Sequence, residues 1–337
     1  MVGVRMTSVN FLRRALITTA ASTLLLASIP GSVLADGFPS RPITLVVPFA
    51  PGALNDTIAR VLGEGFRSSF GQPGIVENVT GADGTLATGR VARAAPDGYT
   101  LMIGSWNTHV ANSLLYPVAF DVVKDFEPVA LLPDAPMLLI AKKSAPADDL
   151  KGFIGWLRAN PDRASFGTAG AGSPPHMLAV LLRKQTGTQF HLVPYRGAAP
   201  AMQDVIAGQI DATFITIGAA LPQVLSGSVK AYGVTAQSRV AAAPDIPTIE
   251  EAGIPNFYFS YWAGLFAPRG TPPDVIARLG SAVAATFADP NVRQKLAAQG
   301  FEVPAPAHLT AAALSALQKA EIAKWWPIIR EAGIKAE

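Results

Sequence analysis

The chain has 337 residues, of which 50% are hydrophobic and 15% charged, with a formal net charge of +3 and no cysteine. That composition fills cores readily and excludes disordered, collagen-like and coiled-coil chains, while the length suits two lobes of ordinary size. Without cysteine there are no disulfides, thiolate metal sites or Cys nucleophiles, and no cluster of Lys and Arg marks a nucleic-acid surface.

The N-terminus reads as an export signal. Arg5, Arg13 and Arg14 precede an apolar run over residues 15–29, followed by Pro30, Gly31 and then Val33-Leu34-Ala35. The run falls short of the roughly 20 residues of a membrane span, and the small residues predict cleavage after Ala35. Ala15-Leu16-Ile17 fits the twin-arginine signal poorly, so a general secretory signal is expected, and no Cys follows for a lipid anchor. Residues 1–35 hold three of the 27 basic residues and none of the 24 acidic ones, so the mature chain balances at 24 of each. Its expected location is the periplasm.

Beyond residue 36, short apolar strands alternate with amphipathic helices. Ile43 to Val47 is an uninterrupted β-branched and Leu run, as in buried parallel strands. A helix follows in which Ile58, Val61, Leu62, Phe66 and Phe70 recur at the helical period, with Asn55 as its expected cap. Further strands are predicted over 99–103, 137–141, 190–193, 212–215 and 231–234. Helices are predicted near 83–94, 149–159, 174–186, 198–207 and 272–288, and a terminal helix carries Trp325 and Trp326. The alternation predicts parallel sheets with helices on both faces and a ligand beyond the carboxyl ends of strands. The Pro-rich stretches 130–136 and 244–255 are where the chain is expected to cross between lobes.

Many short segments together make the family recognisable. Pro39-Ser40-Arg41-Pro42-Ile43 leads into Val47-Pro48-Phe49-Ala50-Pro51-Gly52, and Val76-Glu77-Asn78 precedes Gly81 to Gly84. Ala94-Ala95-Pro96-Asp97-Gly98-Tyr99-Thr100-Leu101, Gly167-Thr168-Ala169-Gly170-Ala171-Gly172-Ser173 and Val193-Pro194-Tyr195-Arg196-Gly197 follow. Trp262-Ala263-Gly264-Leu265-Phe266-Ala267-Pro268 comes last. In this order and spacing the chain resembles the receptors of tripartite tricarboxylate transporters, the Bug family of periplasmic binding proteins. The resemblance implies an α/β, two-lobe periplasmic binding protein of the type II, Venus-flytrap kind, with a hinge and a ligand cleft between lobes. Lobe 1 would comprise residues 36–137 and 250–337, and lobe 2 residues 138–249. It further implies a monomer that captures a small carboxylate and passes it to the membrane components of the transporter, with no cofactor, metal or nucleic-acid partner. A ligand-sensing protein that signals to a membrane sensor kinase is the alternative.

Two strand-to-helix loops then become candidate anion sites, because free N–H groups at a helix N-terminus carry partial positive charge. The first supplies Phe49, Ala53, Leu54, Asn55 and Asp56, with Ser105 and Asn107 lining the same cleft. The second supplies Thr168, Ala169, Gly172 and Ser173, with Ser173 as N-cap before Pro174 and Pro175, and Thr216 follows a later strand. Relatives often carry Gly-Gly-Gly where Ala53-Leu54-Asn55 stands, and Asp-Asn where Ile215-Thr216 stands. The loss of that Asp suggests a carboxylate with an apolar or aromatic body rather than an amino acid. His109 and His176 lack metal or catalytic spacing and read as loop residues, and no nucleophile–base set points to an enzyme.

Overall fold

The computed structural model describes residues 37–161 and 163–335. The expected signal and its cleavage after Ala35 lie outside these residues. Among the described residues no helix is long and apolar enough to cross a membrane.

Nine strands form a sheet in the order β2-β1-β3-β9-β4-β7-β5-β6, with β8 also paired to β4. In one half, β1 (Ile43–Val47) lies parallel to β2 (Gly74–Asn78) and β3 (Thr100–Ser105). In the other, β5 (Ser165–Thr168) lies parallel to β6 (His191–Pro194) and β7 (Ala212–Thr216). Between them run β4 (Phe126–Lys142) and β9 (Ser260–Pro268), antiparallel to each other. β9 also runs antiparallel to β3, and β4 antiparallel to β7 and β8 (Val229–Val234). The sheet is therefore mixed rather than parallel throughout.

Helices close the faces: α1 (Leu54–Phe70), α2 (Thr85–Ala92), α3 (Asn112–Leu115), α4 (Leu150–Ala159), α5 (Pro174–Thr186), α6 (Ala198–Ile206), α7 (Ile217–Leu225), α8 (Pro273–Ala288), α9 (Pro290–Ala297) and α10 (Ala311–Glu331). Strands β2 and β9 and helices α7 and α9 carry no clear periodic signal, and sequence reading passes over them. The cap of α1 is Ala53, and Asn55 lies inside the first turn.

Residues 130–136, expected as a crossover loop, lie within β4. Pro128, Pro133 and Pro136 have no N–H to donate, so a regular ladder cannot run past them. The pairing with β9 accordingly shifts register between Pro128 and Ala130 and between Leu131 and Asp134. From Met137 onward the same strand pairs with β7 and β8.

Thr235, fully buried just after β8, ties this crossing to the second one. Its backbone N–H donates to Met137 O and its carbonyl accepts from Phe259 N, both at 2.8 Å. Its hydroxyl accepts from Met137 N at 3.0 Å and donates to Phe259 O. α10 packs over the same region, where Trp106, Phe259 and Trp325 meet edge to face at centroid distances of 5.4–5.8 Å. Trp325 Nε1 donates to the buried Glu321 at 3.0 Å, and Trp326 Nε1 to Val110 O at 2.9 Å. Gln318 Nε2 donates to both His109 O and Val122 O at 3.1 Å. Lys184 of α5 pairs with Glu331 at the end of α10.

Replacing Thr235 with Val keeps the shape and leaves Met137 N–H and Phe259 O each short of a buried partner. A loss of about 1–3 kcal/mol in chemical denaturation is expected, and unchanged stability would contradict this role.

Asp134 exchanges backbone hydrogen bonds with Glu302. Burial pushes its carboxyl up to about 7, with help from the negative charge of Glu302. The folded state then holds a proton that the unfolded chain releases near pH 4. Stability should fall as pH rises from about 4 to about 7 and level off above. Asp134→Asn should therefore raise the melting temperature at pH 8 and leave it nearly unchanged at pH 4. An equal effect at both values would refute the raised carboxyl.

Candidate functional site

The first loop is clamped from within. Asp56 is buried; its carboxylate accepts from Gly52 N at 2.9 Å, from Arg60 at 2.8 and 3.0 Å, and from Asn78 Nδ2 at 3.0 Å. Burial raises its pKa, but these donors outweigh that and hold it below the usual carboxylate range. Asn78 Nδ2 also donates to Phe49 O at 2.9 Å. Asn55 is buried too, donating to Ile103 O and Gly104 O at 3.2 and 3.3 Å, so it pins the helix start to the end of β3. Asn55 and Asp56 thus shape the loop, while Ala53 and Leu54 are half-buried on it.

The second loop spends most of its donors on itself. Ala169 N donates to Ser173 Oγ at 3.2 Å, and Ser173 N and Oγ donate to Gly170 O at 3.2 and 2.7 Å. Gly172 N donates to His176 Nδ1 at 3.0 Å, and Tyr195 N to Thr168 O at 3.0 Å. Ser173 is the N-cap of α5 by position, but its side chain turns back into the loop. Pro174 and Pro175 have no N–H, so this helix start offers an anion fewer donors than an ordinary one.

A cavity of about 400 Å³ opens between the two halves of the sheet. Asp83 and Tyr116 line it from one side, and Ala169, Gly170, Ala171, Ser173, Pro194, Tyr195 and Arg196 from the other. Of the expected ligand residues, Ala169 and Ser173 are in this lining. Asn107 reaches it through Asp83, to which its Nδ2 donates at 2.8 Å. Gly172 stands beside it in φ +74 backbone, where a Cβ would lie 2.2 Å from Leu115 Cδ1. Phe49, Ala53, Leu54, Asn55, Asp56, Ser105, Thr168 and Thr216 are outside the lining. The buried Ser105 instead receives the Thr108 hydroxyl on its carbonyl at 3.2 Å and gives its N–H to it at 2.9 Å.

Asp83, Tyr116, Gly170, Ala171, Pro194, Tyr195 and Arg196 are the lining residues not among the expected ligand residues. Tyr195 and Arg196 stood in a quoted family segment. Asp83 lay in a predicted helix, and the signal that marks it is backbone conformation, φ 49 and ψ 36. The electrostatics are two-sided. Arg196 is exposed and absent from the ion pairs of the described residues. Burial pushes the Asp83 carboxyl up, against the hydrogen bond from Asn107. Burial, then the charge of Asp83, raises the Tyr116 phenol. Tyr195 donates to Asp204 at 2.6 Å, and burial together with that acceptor pushes it up to about 12.

The two histidines suggested by the sequence serve packing. His109 is fully buried, stacks on Phe266 at 3.8 Å and is held neutral by burial, its pKa lowered to about 3. His176 accepts from the Gly172 amide, and burial followed by the charge of Arg183 lowers its pKa. Among the described residues no group of three or more His, Cys, Asp or Glu could hold a metal.

Gly172→Ala should cost about 1–3 kcal/mol, part from left-handed backbone and part from the collision with Leu115. Adding Leu115→Ala removes the collision alone, so the double variant should lose less than the sum of the single losses. Strict additivity in thermal unfolding would show that these residues do not meet.

The profile described as "Tripartite tricarboxylate transporter family receptor" matches residues 58–334. Among solved structures, MatC from Rhodopseudomonas palustris with bound malate is 41% identical, with a TM-score of 0.75 over 87% of this chain and 100% of that one. The periplasmic binding protein BugD is 35% identical, with a TM-score of 0.75 over 89% and 100% of the chains. An R. palustris protein with adipate is 32% identical, with a TM-score of 0.78 over 88% and 99%. The match along the chain, together with the two-lobe α/β architecture, places this protein in the tripartite tricarboxylate transporter receptor family, with the Bug proteins.

Proposed function

We propose that this protein is an exported receptor that closes over a small carboxylate in the cleft between its halves and delivers it to the membrane components of a tripartite tricarboxylate-type transporter. The observation that carries this reading is the cavity shared by Asp83 and Tyr116 with the Ala169–Arg196 side. Each half contributes only part of its wall, so a ligand there rewards closure. The malate and adipate bound to two similar proteins support a carboxylate. The receptor acts in the periplasm as a monomer, after a signal over residues 1–35 is removed. Its lobes are residues 36–137 with 250–337, and 138–249, with hinges at the Pro136–Met137 step and in the segment between β8 and β9. It turns over no substrate.

Thermal unfolding of residues 36–337 against mono- and dicarboxylates, hydroxy acids, aromatic acids and their uncharged amides tests this. A carboxylate at about 100 times its dissociation constant should stabilise by about 2.7 kcal/mol, a shift of a few degrees. The matching amides should have little effect, and Arg196→Ala should weaken the acids at least tenfold. Equal stabilisation by acids and amides would contradict the reading, as would silence from every acid with no ligand released on denaturation.

A further inference from the structure

We propose that Asp83 is a specificity-determining residue: its carboxylate sets an anionic hydrogen-bond acceptor on one wall of the cleft, so the preferred ligand joins a carboxylate to a hydroxyl or ammonium donor at its other end. The inference rests on the cleft being the carboxylate site and names the ligand class it selects.

Asp83 occupies left-handed backbone, a region that L-residues other than Asn and Asp seldom enter. Such a conformation persists where neighbours enforce it. Here the neighbours are two asparagines. Asn107 Nδ2 donates to Asp83 Oδ2 at 2.8 Å, and Asn112 Nδ2 to Asp83 O at 2.7 Å. Both asparagines are buried, Asn107 at 5% exposure and Asn112 at none, and the Oδ1 of each has no hydrogen-bond partner in the protein.

The chemistry follows from what a carboxylate can do. It accepts and cannot donate, so Asp83 engages the amide nitrogen of Asn107 and fixes that side chain against flipping. Turning it over would set oxygen against oxygen. The backbone carbonyl of Asp83 holds Asn112 in the same sense. What this wall presents to the cavity is the Asp83 carboxylate beside the Tyr116 phenol, with an amide of each asparagine engaged behind them. Among the described residues Asp83 is in none of the ion pairs.

Across the cavity stand Arg196 and the Ala169–Ser173 loop. A ligand carboxylate belongs on that side. A second carboxylate would meet the like charge of Asp83, whereas a hydroxyl or ammonium would donate to it. The absence of an acidic residue at Ile215-Thr216 therefore does not decide against an ammonium group, because Asp83 supplies an acid from the other half.

Calorimetric titration at pH 8 of two matched sets tests this: butanoate, 4-hydroxybutanoate, 4-aminobutanoate and succinate, and the six-carbon equivalents ending in adipate. The wild type should bind a hydroxy or amino member at least tenfold more tightly than the dicarboxylate of equal length. Asp83→Gly, which suits the left-handed backbone, and Asp83→Asn, which keeps the shape but can donate, should each reduce that ratio at least tenfold while the protein still melts cooperatively. Preference for the dicarboxylate in the wild type, or an unchanged ratio in both variants, would overturn the role of Asp83 and leave the carboxylate reading standing. Failure of every acid to bind the wild type would overturn both.

Discussion

One buried threonine hydroxyl, set between Met137 and Phe259, joins the two places where the chain passes from one half of the sheet to the other. Everything that positions the cleft hangs from that knot. β4 arrives through three prolines that break its ladder with β9, then pairs with a different set of strands. A long strand with weakened pairing at one step is a natural place for rotation, because few backbone hydrogen bonds change when it bends. α10 lies over the knot and fastens it to the start of the segment after β3, through hydrogen bonds from Gln318 and Trp326 and the packing of Trp325 on Trp106. The aromatic packing of Trp106, Phe259 and Trp325 buries large apolar area at this joint, so its position is defined even where its hydrogen bonding is sparse.

That joint sets the cleft chemistry at a distance. β3 ends at Ser105, and the turn that follows carries Asn107 and Asn112 onto Asp83. β5 ends at Thr168, and its loop closes on itself through Ser173, so few N–H groups remain for a ligand. Two Pro residues at the start of α5 reduce them further. The positive potential on that side comes from Arg196 rather than from a generous helix terminus. Gly172 allows Leu115 to approach the second loop closely, which brings the two walls within reach of one small molecule.

Strands with unbroken β-branched runs were legible, Ile43 to Val47 above all, and so was α5, whose limits agree with the Pro174-Pro175 start and the following Gly187. β9 was not, because Ser260–Pro268 is buried along most of its length and its aromatic and small residues show no alternation. The prolines of 130–136 suggested a loop, whereas they interrupt pairing without ending the strand. Asn55 and Asp56 were read as ligand groups from their place at a helix start; their hydrogen bonds in the structure go to backbone, Arg60 and Asn78. Of these partners, Asn78, Ile103 and Gly104 lie more than twenty residues away in sequence and leave no local trace. Asp83 was missed for a related reason. Its part in the cleft depends on a left-handed turn and on two asparagines more than twenty residues downstream.

The absence of cysteine offers a direct measurement of closure, since any introduced pair is the sole labelled pair. Ile75 on one half and Leu225 on the other are exposed, and Cys at both positions would carry spin labels. The distance distribution between them should shorten and narrow when a stabilising carboxylate saturates the protein. A distribution unchanged at saturation would contradict a receptor that closes on its ligand.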